Sequence, residues 1–372
     1  LGGIDVYLAV RARVPGLSRA DLDRAVERHE AQVLPSVRGC IYLVPRRDAA
    51  VALRAADLLS RGRAQREHQK AGIKPGEVEK VARAVLAALR KAGPSTTDAL
   101  RRALPEGVVR SLGEAGKKVG ISSPLPPALR LLEFEGKVER SLEGGRLDTE
   151  RYLWRAAERS PFEGARVPED PIDLWARLGE IFFRAAGLGT LKGFADWAGI
   201  PLRDATAAAG KLPLAPVSIE GVEEPHFLLE PERRALLETK GTDGAVSFLP
   251  FEDNLLALRG GPAILVDPAF HGLRVPVWGG RDDELGAVRF MSFRSIVAEG
   301  RVVGFWEFDP KPGRVVVACF DKVKPATRRR IDAEAAEVGA FVTRELGHGK
   351  SFSIDSDAEL SKRAATLARL GR

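Results

Sequence analysis

The pattern of apolar and polar positions divides the chain at about residue 240 into a helical part and a strand-rich part. Residues 5–12 carry an apolar face and predict the end of a helix, broken at Pro15-Gly16. Ser18 then predicts a cap for a helix over 19–29, with Asp21 in its first turn where the helix dipole favours an acid. Residues 38–45 (RGCIYLVP) predict a short strand, and 46–71 a further helix. Helix, helix, strand is the skeleton of a partial winged-helix unit, assigned to 1–75 together with the basic helix that follows.

Residues 76–160 are more sharply organised. Val78, Val81, Val85, Leu86 and Leu89 form one stripe of a helix over 77–92, which Gly93-Pro94 ends. Ser95-Thr96-Thr97 caps a short helix over 97–104. Ser123-Pro124 opens a third over 124–135, with Leu129, Leu131, Leu132 and Phe134 at core spacing. Strands over 136–142 and 150–155 flank Gly144-Gly145. Three helices and a hairpin predict a winged helix-turn-helix, with a long Gly-rich stretch at 105–122 between its second and third helices. The pattern recurs over 161–240, with helices at 171–186, 190–198 and 201–211 and strands at 214–219 and 225–230 around Glu220-Gly221.

Beyond residue 240 strands are predicted at 246–249, 263–266, 287–291, 294–298, 301–308 and 314–320, with a closing helix at 325–346. A β-barrel-like domain over 241–350 and a polar tail over 351–372 complete the expectation. The fold class is α+β: tandem winged helix-turn-helix modules followed by a C-terminal β-barrel-like domain.

Composition sharpens this only slightly. The 372 residues are 44% hydrophobic and 29% charged, with a mean hydropathy of −0.13, enough to bury real cores. Lys and Arg outnumber Asp and Glu by 58 to 51, which fits a polyanionic partner. No apolar run reaches the roughly 18 residues that span a bilayer. Cys40 and Cys319 sit in apolar, strand-like runs and read as buried reduced thiols of a cytosolic protein. No zinc-type spacing links the cysteines and histidines, so neither metal nor cofactor is expected.

Double-stranded DNA is the expected partner. A winged helix puts its third helix in the major groove and its wing on the backbone, so cations on those elements are the candidates. They are Arg130 on the third helix, Lys137 and Arg140 at the start of the wing, and Arg146 at its tip. Arg61, Arg63 and Arg66 on the basic helix join them, with Arg13 and Arg38. Glu133, Glu135, Glu139 and Glu143 interleave, so the wing is mixed in charge. Two Gly-rich segments carry no chemistry. Residues 347–351 (GHGKS) have Arg344 where a phosphate-binding loop needs its first Gly, and 187–193 (GLGTLKG) follow a helix, not a strand. Aromatics, at 6%, are too few for a base-stacking single-strand binder.

Residues 7–17 (YLAVRARVPGL), 38–45, Tyr152-Leu153-Trp154 and 301–306 (RVVGFW), in this order, resemble the winged-helix DNA glycosylases of the AlkZ–YcaQ type. The resemblance covers essentially the whole chain. It implies a cleft around duplex DNA and excision of alkylated or crosslinked bases. It also implies a Gln-x-Gln or Gln-x-Asp strand just before the segment matching 7–17. The chain's glutamines are Gln32, Gln65 and Gln69, none so placed. Either Gly3-Ile4-Asp5 is the Gln-x-Asp form with Gly3 for the first Gln, or the signature precedes Leu1. On the first alignment Asp5 is the candidate catalytic carboxylate. Tyr42 stands where the family often carries His. Two functions follow: a monofunctional glycosylase, or a non-catalytic winged-helix DNA-binding protein serving repair or transcription. A protein-interaction scaffold is a weaker third. A cytoplasmic, nucleoid-associated monomer is expected.

Overall fold

A computed structural model describes residues 2–149, 151–241, 244–277, 280–289, 291–352 and 354–370. It begins with α1 (Asp5–Arg11) and α2 (Arg19–Glu27). Ser18 caps α2 in a reciprocal box with Asp21. A hairpin of β1 (Ala31–Pro35) and β2 (Ile41–Pro45) follows, pairing Val33 with Leu43. The sequence pattern exposed only the second strand, because the first is short, buried on consecutive positions including polar Gln32, and ends in Pro35. Then comes α3 (Arg46–Lys70), 25 residues and therefore about 37 Å long. Its first half is buried from Ala49 to Ala56, and its second half turns its arginines to solvent.

The next segment holds α4 (Glu77–Ala92), α5 (Thr97–Ala103), α6 (Gly113–Lys118) and α7 (Leu125–Phe134), then the hairpin β3 (Val138–Leu142) and β4 (Tyr152–Ala156). The extra helix α6 fills the stretch left open by the sequence. Val81, Val85 and Leu89 of α4 pack on Leu125, Leu129 and Leu132 of α7, with Trp154 closing the core. The third segment repeats the order with α8 (Pro171–Ala186), α9 (Leu191–Ala198), α10 (Leu202–Ala209), β5 (Leu214–Ile219) and β6 (Val222–Leu229). Its core of Leu174, Phe182, Phe183, Phe194 and Ala205 also takes in Val51 and Ala55 of α3. A short α11 (Arg233–Glu238) leads onward.

The C-terminal region contains β7 (Val246–Phe248), α12 (Asn254–Ala257), β8 (Arg274–Val277), β9 (Arg281–Glu284), β10 (Arg294–Ala298), β11 (Arg301–Asp309) and β12 (Arg314–Cys319). Among the described residues the strands do not close into a barrel. An open antiparallel sheet runs in the order β12-β11-β10-β7, and β8 and β9 form a separate hairpin. Two helices make closure unnecessary by covering the sheet. These are α13 (Pro325–Phe341), continued by a π turn over Val342–Leu346, and α14 (Asp357–Leu370). Trp306 and Phe308 of β11 join α13 in one core, while Phe305 joins Leu367 of α14 in another.

Several expectations are corrected here. In the expected strand at 263–266, Ala263–Leu265 form a 3-10 turn instead. The expected strand at 287–291 appears only as a single bridge from Met291 to Val277, and Phe290 lies outside the described residues. The expected polar tail is the packed helix α14, with Leu360, Ala364 and Leu367 buried; charges on its other face hid the 3.6-residue stripe. Cys40 is exposed and Cys319 half-buried, both as free thiols, because Cys40 follows the tight turn ahead of β2.

The N-terminal helices share the C-terminal core: Ile4, Tyr7 and Leu8 pack with Ile296, Trp306 and Ile331. A buried ion network runs along this seam. Arg294, fully buried, donates to Asp5 at 3.0 Å, Glu307 at 2.5 Å, the Gly349 carbonyl at 3.1 Å and Ser351 Oγ at 2.7 Å. Its guanidinium also lies 5.1 Å from the Trp306 ring centroid. Glu307 in turn accepts from Arg363 of α14 at 3.0 Å, and Arg363 reaches Asp355 at 3.1 Å. Replacing Arg294 by Met leaves the buried Asp5 carboxylate without its cation and Glu307 with Arg363 alone. The expected loss is about 3–5 kcal/mol of folding stability, read from urea unfolding; an unchanged midpoint would show the network to be dispensable.

Candidate functional site

A groove of about 1580 Å³ opens between the second half of α3, the α7 helix and residues 162–169. Arg61, Arg63, Arg130 and Lys137 line it, as do Arg54 and Lys74. The long α3 supplies much of this wall because its alanine-rich first half is buried in the core and its polar second half projects. Arg61 pairs with Asp57 on the same helix face at 2.5 Å, and Arg63 approaches Glu67 only to 3.7 Å. Both arginines remain more than half exposed, at 58% and 66%. Exposed pairs of this kind contribute little and can be exchanged for a stronger anion. Arg130 is different. Burial disfavours its charge; Glu133 helps, but Arg140 and Arg63 crowd it with like charge, and its pKa is lowered. An anion in the groove would relieve that crowding.

The other predicted cations are placed differently. Arg66 is on α3, packed over Gly62, and does not line the groove. Arg13 makes two bonds to Asp253, at 2.9 and 2.6 Å. Arg140 is only 12% exposed, clamps Glu133 at 2.6 and 3.2 Å, and stacks on Trp154 at 4.6 Å. Arg146 grips Asp148 at 2.9 and 2.5 Å and donates to the Leu346 carbonyl at 2.6 Å. The last two hold the β3–β4 hairpin in place. Sequence reasoning could not separate them from groove cations, since partners such as Leu346 are 200 residues away.

Arg38 does not line the groove, although the neighbouring Gly39 does, beside Arg63. Its backbone is left-handed, φ +57°, and its guanidinium donates to Tyr42 Oη at 2.8 Å. Burial pushes the Tyr42 phenol up and the Arg38 bond draws it partly back, so Tyr42 stays a neutral O–H. The charge of Glu252 acts on both residues. Glu252 is exposed and also left-handed, φ +49°. Just before it, the Phe251 N–H donates at 3.3 Å to the same Asp5 oxygen that Arg294 holds at 3.0 Å. The Asp5 side chain is only 11% exposed. At Gly3, a Cβ would lie 2.0 Å from the Lys350 carbonyl oxygen, so no larger side chain fits there. Neither Arg294 nor Glu252 was singled out from sequence. Phe251-Glu252-Asp253-Asn254 reads only as a helix start, and Asp253 does cap α12.

Beside Asp5, Tyr7 Oη donates to Asp23 at 2.5 Å and accepts from the Leu147 N–H at 2.8 Å. Burial pushes the Tyr7 phenol well above its ordinary range. Burial also opposes the charge of Asp148, but Arg146 and His348 outweigh it and hold that carboxyl well below the usual range. A depressed carboxyl contributes stability that is complete above the unfolded value of 3.8 and disappears as pH falls below it. Asp148→Asn is therefore expected to unfold more easily than the parent at pH 7, with the gap narrowing from pH 4 to pH 2. An equal gap at both ends, in urea titrations, would rule this out.

A family model described as DNA glycosylase AlkZ-like matches residues 4–341. No curated protein sequence matches the chain. Among solved structures, the Streptomyces sahachiroi DNA glycosylase AlkZ has the same fold, with a TM-score of 0.63 at 18% identity, covering 94% of this chain and 90% of that one. The groove, its cations and the match over nearly the whole length agree: the chain belongs to the AlkZ-like DNA glycosylase family, and its substrate is DNA.

Proposed function

We propose that the protein hydrolyses the N-glycosidic bond of alkylated or crosslinked purines in duplex DNA, which it grips as a monomer along the α3–α7 groove. The observation that carries this reading is the set of groove cations, Arg54, Arg61, Arg63, Lys74, Arg130 and Lys137, which outnumber the carboxylates Asp57, Glu67, Glu79, Glu135 and Glu169 beside them, in a chain of this family. The α4–α7 segment with β3–β4 and the α8–α10 segment with β5–β6 are taken as tandem winged helices. On this reading α7 and its Arg130 face a DNA groove. Arg38 and Arg66 extend the phosphate track, while Arg13, Arg140 and Arg146 serve the frame.

The chemistry asks little of the protein. Alkylation at N7 makes the purine a cation and a good leaving group. The site must place a water near the sugar C1′ and stabilise positive charge developing there, which a carboxylate does. A groove this open also admits an adduct too bulky for an enclosed base pocket.

Two measurements test the proposal. Purified protein is expected to release N7-methylguanine from methylated duplex; none from a folded, DNA-binding protein would favour the non-catalytic alternative. In the Arg61→Ala, Arg63→Ala double variant, duplex affinity is expected to fall alike for all sequences. The slope of log affinity against log salt should shrink by roughly 2, about one unit per lost phosphate contact. An unchanged slope would remove α3 from the interface.

A further inference from the structure

We propose that the free edge of the C-terminal sheet, with the cleft beside it, docks an extended acidic segment of a partner protein as an added strand. β12 is the outermost strand of the order β12-β11-β10-β7, and among the described residues no strand pairs with its other side. Its pairing shows which backbone groups are left over. The Phe320 N–H donates to the Val303 carbonyl at 3.0 Å, and the register sets Cys319 against Gly304, Ala318 against Phe305 and Val317 against Trp306. Bonded and non-bonded pairs alternate along an antiparallel ladder. Arg314, Val316 and Ala318 therefore bond to β11, while Val315, Val317 and Cys319 turn their N–H and C=O groups outward. Soluble proteins commonly blunt such an edge with a proline, a charge or a bulge. Residues 315–319 read Val-Val-Val-Ala-Cys, without proline or charge, and their register against β11 is unbroken.

A cleft of about 550 Å³ runs between this strand and α13. Val315 and Val317 form its strand side, and one stripe of α13, continued into the π turn at Thr343 and Arg344, forms the other. The middle of that stripe is Ala335, Ala336, Gly339 and Ala340, so no long side chain fills the space that an added strand needs. At Gly339 even a Cβ would lie 3.7 Å from Val315 Cγ2. Arg314 and Arg344 line the cleft, both exposed, and among the described residues neither has an ion-pair partner. Arg328, also exposed, pairs with Asp332 on its own helix at 2.9 Å. This chemistry selects the occupant. Outward N–H and C=O groups together match another peptide backbone. A phosphate chain offers acceptors only and would set its charge against the outward carbonyls. A second copy would bring its own β12, which has an arginine and no carboxylate to meet Arg314 and Arg344. The match is a strand of another protein, with small apolar side chains at alternate positions for the cleft and carboxylates at its ends.

The test titrates the full chain into a fluorescent peptide, Asp-Asp-Val-Ser-Val-Ser-Val-Asp-Asp, and reads anisotropy, with thermal unfolding and duplex affinity measured alongside. Saturable binding is expected. The Arg314→Glu, Arg344→Glu double variant should weaken it by about tenfold, since two exposed attractions become repulsions. Val317→Pro removes one outward donor and leaves the β11 ladder whole, a substitution that an edge strand accepts. It should fold as the parent does, keep parent duplex affinity and lose the peptide. Ala336→Phe, at an exposed position, fills the cleft and should do the same. A peptide with its central amides N-methylated should not bind. Absence of peptide binding, equal binding of the methylated peptide, or parent affinity in the double variant overturns the proposal. Displacement of the peptide by duplex would give this edge to nucleic acid, and self-association of the parent that Val317→Pro abolishes would give it to a second copy; either result also overturns it. The glycosylase reading stands or falls separately, on base release.

Discussion

A guanidinium buried as completely as that of Arg294 is tolerable only when acceptors surround it, and its four acceptors come from three distant stretches of chain. Asp5 comes from the first helix, Glu307 from the middle of the sheet, and Gly349 and Ser351 from the loop before the last helix. Glu307 then recruits Arg363 of that helix. Negative and positive groups alternate through Asp5, Arg294, Glu307, Arg363 and Asp355, so none faces a like charge alone. The result is a geometric constraint: the two ends of the chain and the sheet between them cannot shift independently. The backbone bond from Ile4 N–H to the Lys350 carbonyl, at 3.0 Å, follows the same seam.

That constraint reaches the site through very few atoms. The Asp5 oxygen fixed by Arg294 is the one that holds Phe251, and with it the turn at Glu252. Next to it, the Tyr7–Asp23 pair receives the Leu147 N–H and so locates the β3–β4 hairpin, while Arg146 ties the same hairpin to Leu346. The β3–β4 hairpin and the turn at Phe251 are therefore referred to one buried framework.

The cations illustrate how surroundings, not residue type, assign roles. Arg140 and Arg61 are both ion-paired arginines on the page of the sequence. Arg140 is enclosed between Glu133 and Trp154, and breaking its pair would leave a buried carboxylate unpaired. Arg61 is exposed beside Asp57 on its own helix, where water already competes for the pair and a phosphate can replace it.

The chain's own pattern determined its local elements and its family. Apolar stripes placed α4, α7 and α8, the Ser18 box placed α2, and short ordered motifs carried the resemblance that the family match bears out. Local signals suffice for such features because a helix face or a cap is decided within a few residues. The groove cations Arg61, Arg63, Arg130 and Lys137 were legible for the same reason, as charges on recognisable helices and hairpins. The open sheet, the packed α14 and the embedding of α1 in the C-terminal core were not. Each depends on pairings between residues hundreds of positions apart, as between Asp5 and Arg294. Only the tertiary structure decided that Asp5 is an enclosed anchor and that Arg146 is a clasp. It did so because burial and partnership are properties of the packed chain that no local spacing encodes.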